Sequence, residues 1–373
     1  MKKVRQEIIQ EVNDVKEFVK NKKVTVGLDG FIDKIVQPVE MKDSEGNIDF
    51  FDYISSFGNH IVSKSGKSCG IELRESFTKL GGNGPIMAHA FGKLGVATDC
   101  IGNLGYPDVD PVFNKISSNC KLHTIGTPCL TTALEFTDGK IMFSQREFFD
   151  KMDWDWIKSK LSIEDLKNYF LNTDLVCLIN WTCIIYLNNI FKGILDDIFC
   201  GTAKNKSRIY FFDLADFSNR SYSDIVEVIK LINEFNDYNR VVLSLNENEA
   251  MLMYETLFKA SPSSPIKEIG ELIYKELKID SLVIHTLNNA LAWDEKSFSE
   301  SPSLFIKKPK LSTGGGDNFN TGLCFGLLMG LDLASAAYFG NATSGYYVRN
   351  AESPTIAEVL TTLKDWDNLI ETP

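Results

Sequence analysis

Asp317 stands at the end of three consecutive glycines, Gly314, Gly315 and Gly316, and an apolar run from Leu323 to Leu331 follows it closely. Glycine reaches φ > 0 and leaves no Cβ between the backbone and a ligand. The start of a helix carries unpaired N–H groups and the positive end of the helix dipole. Together these features predict an anion site, and phosphate is the usual anion. A carboxylate beside a phosphate is repelled if contact is its only role. It has a use there as the base for a hydroxyl that attacks the phosphate. The stretch therefore predicts phosphoryl transfer centred on Asp317. With an ordinary pKa near 4 this carboxylate is ionised at pH 7. A weak base suffices where the hydroxyl loses its proton late, as in a loose transition state.

Other residues suited to such chemistry lie upstream. Asp29-Gly-Phe-Ile-Asp33 follows the β-branched run Val24–Leu28. Carboxylates just past a strand of an open α/β sheet are candidates to hold a polyol. Asp29 reads better as a turn aspartate capping its own backbone, and Asp33 as the polyol ligand. Gly81-Gly82-Asn83 opens a helix rich in small residues; the glycines allow close approach, and Asn83 offers both donor and acceptor to sugar hydroxyls. Asn246 and Glu249 follow the strand Val241–Leu245 and fall on one face of a first helical turn. They suit Mg²⁺, held directly or through its waters. The same pair is also an Asn form of the capping box. Arg146 could pair with an acidic sugar, but a solvated arginine is the simpler account. Gly66-Lys67-Ser68 resembles part of a P-loop, yet Ile61 stands where the first glycine is required. The four histidines are scattered and show no metal-ligand spacing.

The elements that must position these residues follow a βα alternation. Strands are expected at 24–28, 175–180, 209–213, 241–245 and 281–286, and residues 96–105 are expected to run from strand into loop. Helices are expected at 2–22, 86–94, 190–199, 222–235 and 266–277. This order predicts a mostly parallel central sheet between two helical layers. Residues 120–147 alternate apolar and polar and contain Asp138-Gly139, a hairpin signal. A second ribbon is expected near 35–52, around Asp43–Asn47, and the two would form a small lid. The chain has 373 residues and a net charge of −11, which argues against non-specific nucleic-acid binding. The start Met-Lys-Lys-Val-Arg has no apolar leader, and no charge-free apolar run approaches the ~20 residues of a membrane span. Eight cysteines without regular spacing read as reduced side chains of a cytoplasmic protein.

Together these motifs resemble the ribokinase-like (PfkB) carbohydrate kinase family. The resemblance rests on Gly81-Gly82-Asn83, on Asn246-x-x-Glu249 and on Thr313-Gly-Gly-Gly-Asp317-x-Phe319-x-x-Gly322, in that order across residues 24–350. Where the family usually has alanine this chain has Gly315, and Leu311 replaces an acidic residue. The resemblance implies one α/β domain over 1–373, a three-layer αβα fold with a small β lid at about 34–52 and 121–148. It implies that Asp317 takes the proton of a sugar hydroxyl while the N–H groups of Gly314, Gly315 and Gly316 stabilise the developing charge. It assigns Asp33, Gly82 and Asn83 to the sugar, Thr286, Thr313 and Asn341 to the nucleotide, and Asn246 and Glu249 to Mg²⁺. ATP is the implied donor, a monovalent cation near the anion hole is common, and lids can pair two subunits into a homodimer. The turn after the strand at 281–286 departs from the family's glycine-containing form, so ATP is not the only donor left open. A nucleoside kinase of the same fold, and a non-catalytic sugar or nucleotide sensor, are the alternatives.

Overall fold

The protein's structure, a computed structural model, describes residues 2–371. Its strands in chain order are β1 (Lys23–Leu28), β2 (Phe31–Lys42), β3 (Ile48–Phe50), β4 (Leu73–Gly81), β5 (Ala97–Gly102), β6 (Cys120–Thr124), β7 (Cys129–Phe136), β8 (Gly139–Gln145), β9 (Leu175–Ile179), β10 (Asn205–Asp213), β11 (Asn239–Asn246), β12 (Ser281–His285), β13 (Asn289–Asp294) and β14 (Phe298–Pro302). The large sheet has the order β14-β13-β12-β11-β10-β9-β1-β5-β6. All neighbours from β12 through to β6 are parallel, and β13 and β14 add an antiparallel edge.

The sheet is buried on both faces, as parallel sheets must be. On β9, Leu175, Cys177 and Ile179 pack into one core while Val176 and Leu178 pack into the other. On β10, Ile209 and Phe211 alternate in the same way with Tyr210 and Phe212. The helices are α1 (Lys2–Val15), α2 (Ile54–Ser63), α3 (Asn83–Lys93), α4 (Trp154–Lys160), α5 (Ile163–Phe170), α6 (Leu187–Gly193), α7 (Tyr222–Phe235), α8 (Glu247–Phe258), α9 (Ile266–Glu276), α10 (Gly315–Leu328), α11 (Leu333–Asn350) and α12 (Ile356–Leu369). One layer holds α1, α3, α10, α11 and α12; the other holds α4 to α9. The expected αβα architecture is present. The expected 2–22 helix is α-helical to Val15 and then tightens into a 3₁₀ turn, with Ile8, Val12 and Val19 buried.

A second sheet centres on β2, which pairs antiparallel with β4, parallel with β7 and, at its far end, antiparallel with β3; β8 completes the hairpin from β7. Its boundaries differ from the two expected ribbons. Residues 120–124 belong to the large sheet as its edge strand β6, and the small sheet begins only at Cys129. β2 starts at Phe31, and β4, with no counterpart in either expected ribbon, contributes nine residues. Helix α2 covers one face of this sheet through Val36, Phe51, Phe57, Leu134 and Phe136. On the opposite face the register builds two rows across four strands. Lys79, Asp33, Thr131 and Ser144 form a polar row; Phe77, Ile35, Ala133 and Met142 form an apolar one.

Candidate active site

The carboxyl ends of β1, β9 and β10 each present a buried polar side chain: Asp29, Asn180 and Asp213. Asp29 bonds its own backbone, as its position suggested, but does more. Its carboxylate accepts the N–H groups of Asn83 (2.9 Å) and Gly84 (2.7 Å) and the Asn180 amide (2.6 Å). The reason lies in α3, whose N-cap residue is Gly82 at φ 92° and has no side chain to cap with. The charge for that helix end comes instead from a residue 54 positions earlier, where the helix dipole favours an anion. Space is made by glycine: a Cβ on Gly84 would fall 2.6 Å from the Asp29 carboxylate.

Asp33 lies on the polar row of the small sheet, buried, with its carboxylate over the α-carbon of Gly81. Burial raises its pKa, against the pull of Lys79, Thr131 and Lys140. Burial likewise lowers that of Lys79. Asp33, Gly81, Gly82 and Asn83 are thus one neighbourhood where β2, β4 and α3 meet.

Asp317 occupies the first turn of α10 and is only 8% exposed. Burial pushes its pKa well above the usual carboxylate range, Asp213 and Asp29 push it further, and a hydrogen bond from Asn83 opposes them. Three side chains fix this turn. Tyr347 donates to the Thr313 carbonyl (2.8 Å), Ser344 to the Gly315 carbonyl (2.8 Å) and Asn318 to the Gly314 carbonyl (2.9 Å). Gly314 sits at φ 93°, and a Cβ there would fall 2.6 Å from the Tyr347 hydroxyl. The glycine turn differs in one respect from expectation. The Gly315 N–H already donates to the Ser312 carbonyl at 3.0 Å. By helix geometry the N–H groups of Gly316 and Asp317 have no acceptor within α10.

One turn beyond Asp317, the buried Asn320 donates to Asp213 (2.6 Å) and accepts from Ser244 (2.8 Å), tying α10 to β10 and β11. Asp213, Asn320, Asn180 and Lys79 were not among the expected site residues. A strand ending in aspartate was the one signal that pointed to Asp213.

Asn246 and Glu249 form the complete capping box of α8, with bonds of 2.9, 2.7 and 2.9 Å. Both carboxylate oxygens of Glu249 are used in it. Burial raises the Glu249 pKa, and Asp213, Asp216 and Asp317 raise it further. Repulsion among hard oxygen donors is what a divalent cation relieves. Among the described residues no three acidic, histidine or cysteine side chains are arranged to hold a metal directly. Glu249, Asp213 and Asp317 are hard oxygen donors of the kind Mg²⁺ takes.

A cavity of about 410 Å³ opens beside the glycine turn. Asn246, His285, Thr286, Asn341, Gly315, Gly316 and Phe319 are among the residues that line it. Burial drives the His285 pKa down to about 4, so the imidazole is neutral against the Phe319 ring, 5.0 Å away between centroids. Thr286 caps its own turn by accepting from Asn288 and Asn289. Asn341 bonds Ser301. Thr313 does not line this cavity; only its carbonyl is engaged, by Tyr347.

Residues 2–366 match the sequence profile of a family described as prokaryotic ketohexokinase. A ketohexokinase of Haloferax volcanii is 24% identical over 345 residues, covering 92% of this chain and 91% of that one. Among solved structures, a carbohydrate kinase from Agrobacterium tumefaciens superposes with a TM-score of 0.62 at 14% identity, over 94% of this chain and 98% of that one. A ribokinase of Arabidopsis thaliana complexed with ribose and ATP gives 0.60 at 14% identity, over 92% and 98%. At these identities the structures speak for a shared fold. With a family match that runs through the small sheet, the glycine turn and α12 alike, the chain belongs to the prokaryotic ketohexokinase family and is a carbohydrate kinase.

Proposed function

We propose that the protein transfers the γ-phosphoryl group of ATP to a hydroxyl of a ketohexose. The observation that carries this reading is the position of Asp317. Its glycine turn ends the 410 Å³ cavity on one side, while on the other it meets Asn83. Donor and acceptor would meet at its carboxylate. The sugar class comes from the family and from the named H. volcanii relative.

Asp33, Asn83 and the backbone at Gly82 hold and orient the sugar, with the polar row of the small sheet above it. Asp317 receives the proton of the attacking hydroxyl. The N–H groups of Gly314, Gly316 and Asp317 face the charge that develops on the transferred group; one preorganised donor of this kind is typically worth ~10²–10³ in rate. Thr286 and Asn341 shape the nucleotide cavity, and Thr313 fixes the turn through Tyr347. Asn246 and Glu249, with Asp213, would hold Mg²⁺ through its waters, where it would neutralise phosphate charge. The small sheet acts as a lid that excludes water from the transfer, and its apolar row is the surface through which two subunits pair.

The test is ATP consumption with fructose, other ketohexoses, aldoses and nucleosides. Ketohexose-dependent turnover is expected, falling about 10²–10⁴-fold in Asp317→Asn with little change in the sugar KM, since general-base catalysis contributes that much. Undiminished turnover in the variant would remove Asp317 as the base. Faster turnover of nucleosides would make the enzyme a nucleoside kinase. Binding without turnover of any acceptor would leave a sensor.

A further inference from the structure

A second cleft, of about 390 Å³, lies at the carboxyl ends of β5 and β6. Asn103 follows β5, Gly126 and Thr127 follow β6, and Trp156 and Lys160 come from α4. It shares no lining residue with the nucleotide-side cavity. Nothing in the phosphoryl-transfer chemistry uses it.

Three features of its walls point to one kind of ligand. Asn103 is 2% exposed, and its Oδ1 has no hydrogen-bond partner among the described residues. A buried acceptor left unmet is destabilising, so it calls for a hydroxyl or N–H donor. Gly126 packs close against this amide: a Cβ there would fall 2.9 Å from that oxygen. The second feature is a fixed ammonium. Lys160 Nζ stands 4.8 Å from the Tyr106 ring centre and 4.6 Å from that of Trp156. Trp156 is itself anchored by donating to the Ile125 carbonyl at 3.1 Å. The third is a second lysine, Lys151, on the same wall. Glu147 is the one carboxylate there, so the lining carries one net positive charge on a protein of net charge −11.

An apolar ligand would leave Asn103 unmet. An uncharged sugar would leave both ammonium groups unused. A phosphorylated monosaccharide satisfies both, and the cleft has the volume of a small-molecule site. We propose that this cleft binds a sugar phosphate in its own right, separately from the phosphoryl-transfer site, its hydroxyl donating to Asn103 Oδ1 and its phosphate lying on Lys151 and Lys160.

The proposal is tested by titrating the full-length enzyme with fructose 1-phosphate, fructose 6-phosphate, fructose and inorganic phosphate. The readouts are tryptophan fluorescence and calorimetry. Saturable binding of a sugar phosphate is expected, about 10–100-fold weaker in Lys160→Met and in Lys151→Glu, because a hydrogen bond to a charged group is worth about 1.5–3 kcal/mol. The fluorescence change should vanish in Trp156→Phe. Neither lysine lines the nucleotide-side cavity or is assigned to the transfer site, so kcat without added ligand should be unchanged. The result does not depend on which acceptor the kinase takes. Equal affinity in wild type and both lysine variants would overturn the proposal, as would absence of saturable binding. Inorganic phosphate binding as tightly as the sugar phosphates would also overturn it, leaving an anion site without sugar recognition.

Discussion

Asp317 is held in a state that an isolated carboxylate would not choose. Burial, Asp213 and Asp29 all favour its protonated form, and only Asn83 favours the charged one. A base must be ionised to act, so kcat/KM should rise with pH along a limb set by this raised pKa. That parameter reports the free enzyme. Asp213→Asn removes one repelling charge, and the limb should move to lower pH in a pH–rate profile of kcat/KM. The same group bears on stability, with a definite sign. In the unfolded chain an aspartate ionises near pH 4; in the folded chain Asp317 ionises only at higher pH. Between the two, the folded state binds more protons, so stability falls as pH rises. Asp317→Asn lacks that loss. By calorimetry its Tm should match the wild type at pH 4 and exceed it at pH 8.

At the scale of elements, the site depends on where helices α3, α10 and α11 begin and touch. Gly82 needs a left-handed backbone, and a Cβ there would sit 3.0 Å from the Asp29 carboxylate. Gly82→Ala should cost about 1–3 kcal/mol of stability from backbone strain and raise the sugar KM, as read by denaturant unfolding and steady-state kinetics. Gly315 is different. Its φ is not in the left-handed range, and an added Cβ would meet Val348 Cγ1 of α11 at 3.2 Å. The alanine usual in the resembled family would therefore require Val348 to give by a few tenths of an ångström. Alanine stabilises a helix by roughly 0.5–1 kcal/mol over glycine, which the Val348 contact should offset in Gly315→Ala alone. The gain should appear once Val348→Ala is added. A double-mutant cycle that shows no coupling between the two positions would refute this account.

For the whole molecule, the decisive arrangement is a small sheet set beside a large one. Phe77 and Met142 are 51% and 47% exposed on the same face as the polar row bearing Asp33. Apolar side chains beside the proposed sugar site suit contact with a second copy of the sheet. If two copies pair through this face as proposed, the wild type should be a dimer in light scattering and Phe77→Glu with Met142→Glu a monomer, with a raised sugar KM as the site opens to water. A wild-type monomer would instead assign the row to lid closure within one chain. No helix among the described residues is long and apolar enough to cross a membrane.

The local patterns in the chain determined most of the large sheet, because both periodicities are local. β-branched runs such as Val24–Leu28 and Val241–Leu245, alternating with helix-period stretches such as Tyr222–Phe235, leave little choice but a layered α/β fold. The glycine turn before Asp317 was legible for the same reason: glycine conformation is a property of a few adjacent residues. What tertiary structure decided was every relation between distant segments. Asp29 caps α3 across 54 residues, which no spacing rule expresses. Residues 120–124 look like their neighbours in the ribbon, yet they pair with β5, because strand pairing is chosen by the sheet that has an open edge. β4 is mostly exposed and has no clear alternation to announce it. Asp213 and Asn320, 107 residues apart, meet only because β10 and α10 pack end to end. Their carboxylate and amide set the field in which Asp317 must work, and that field exists only in the folded chain.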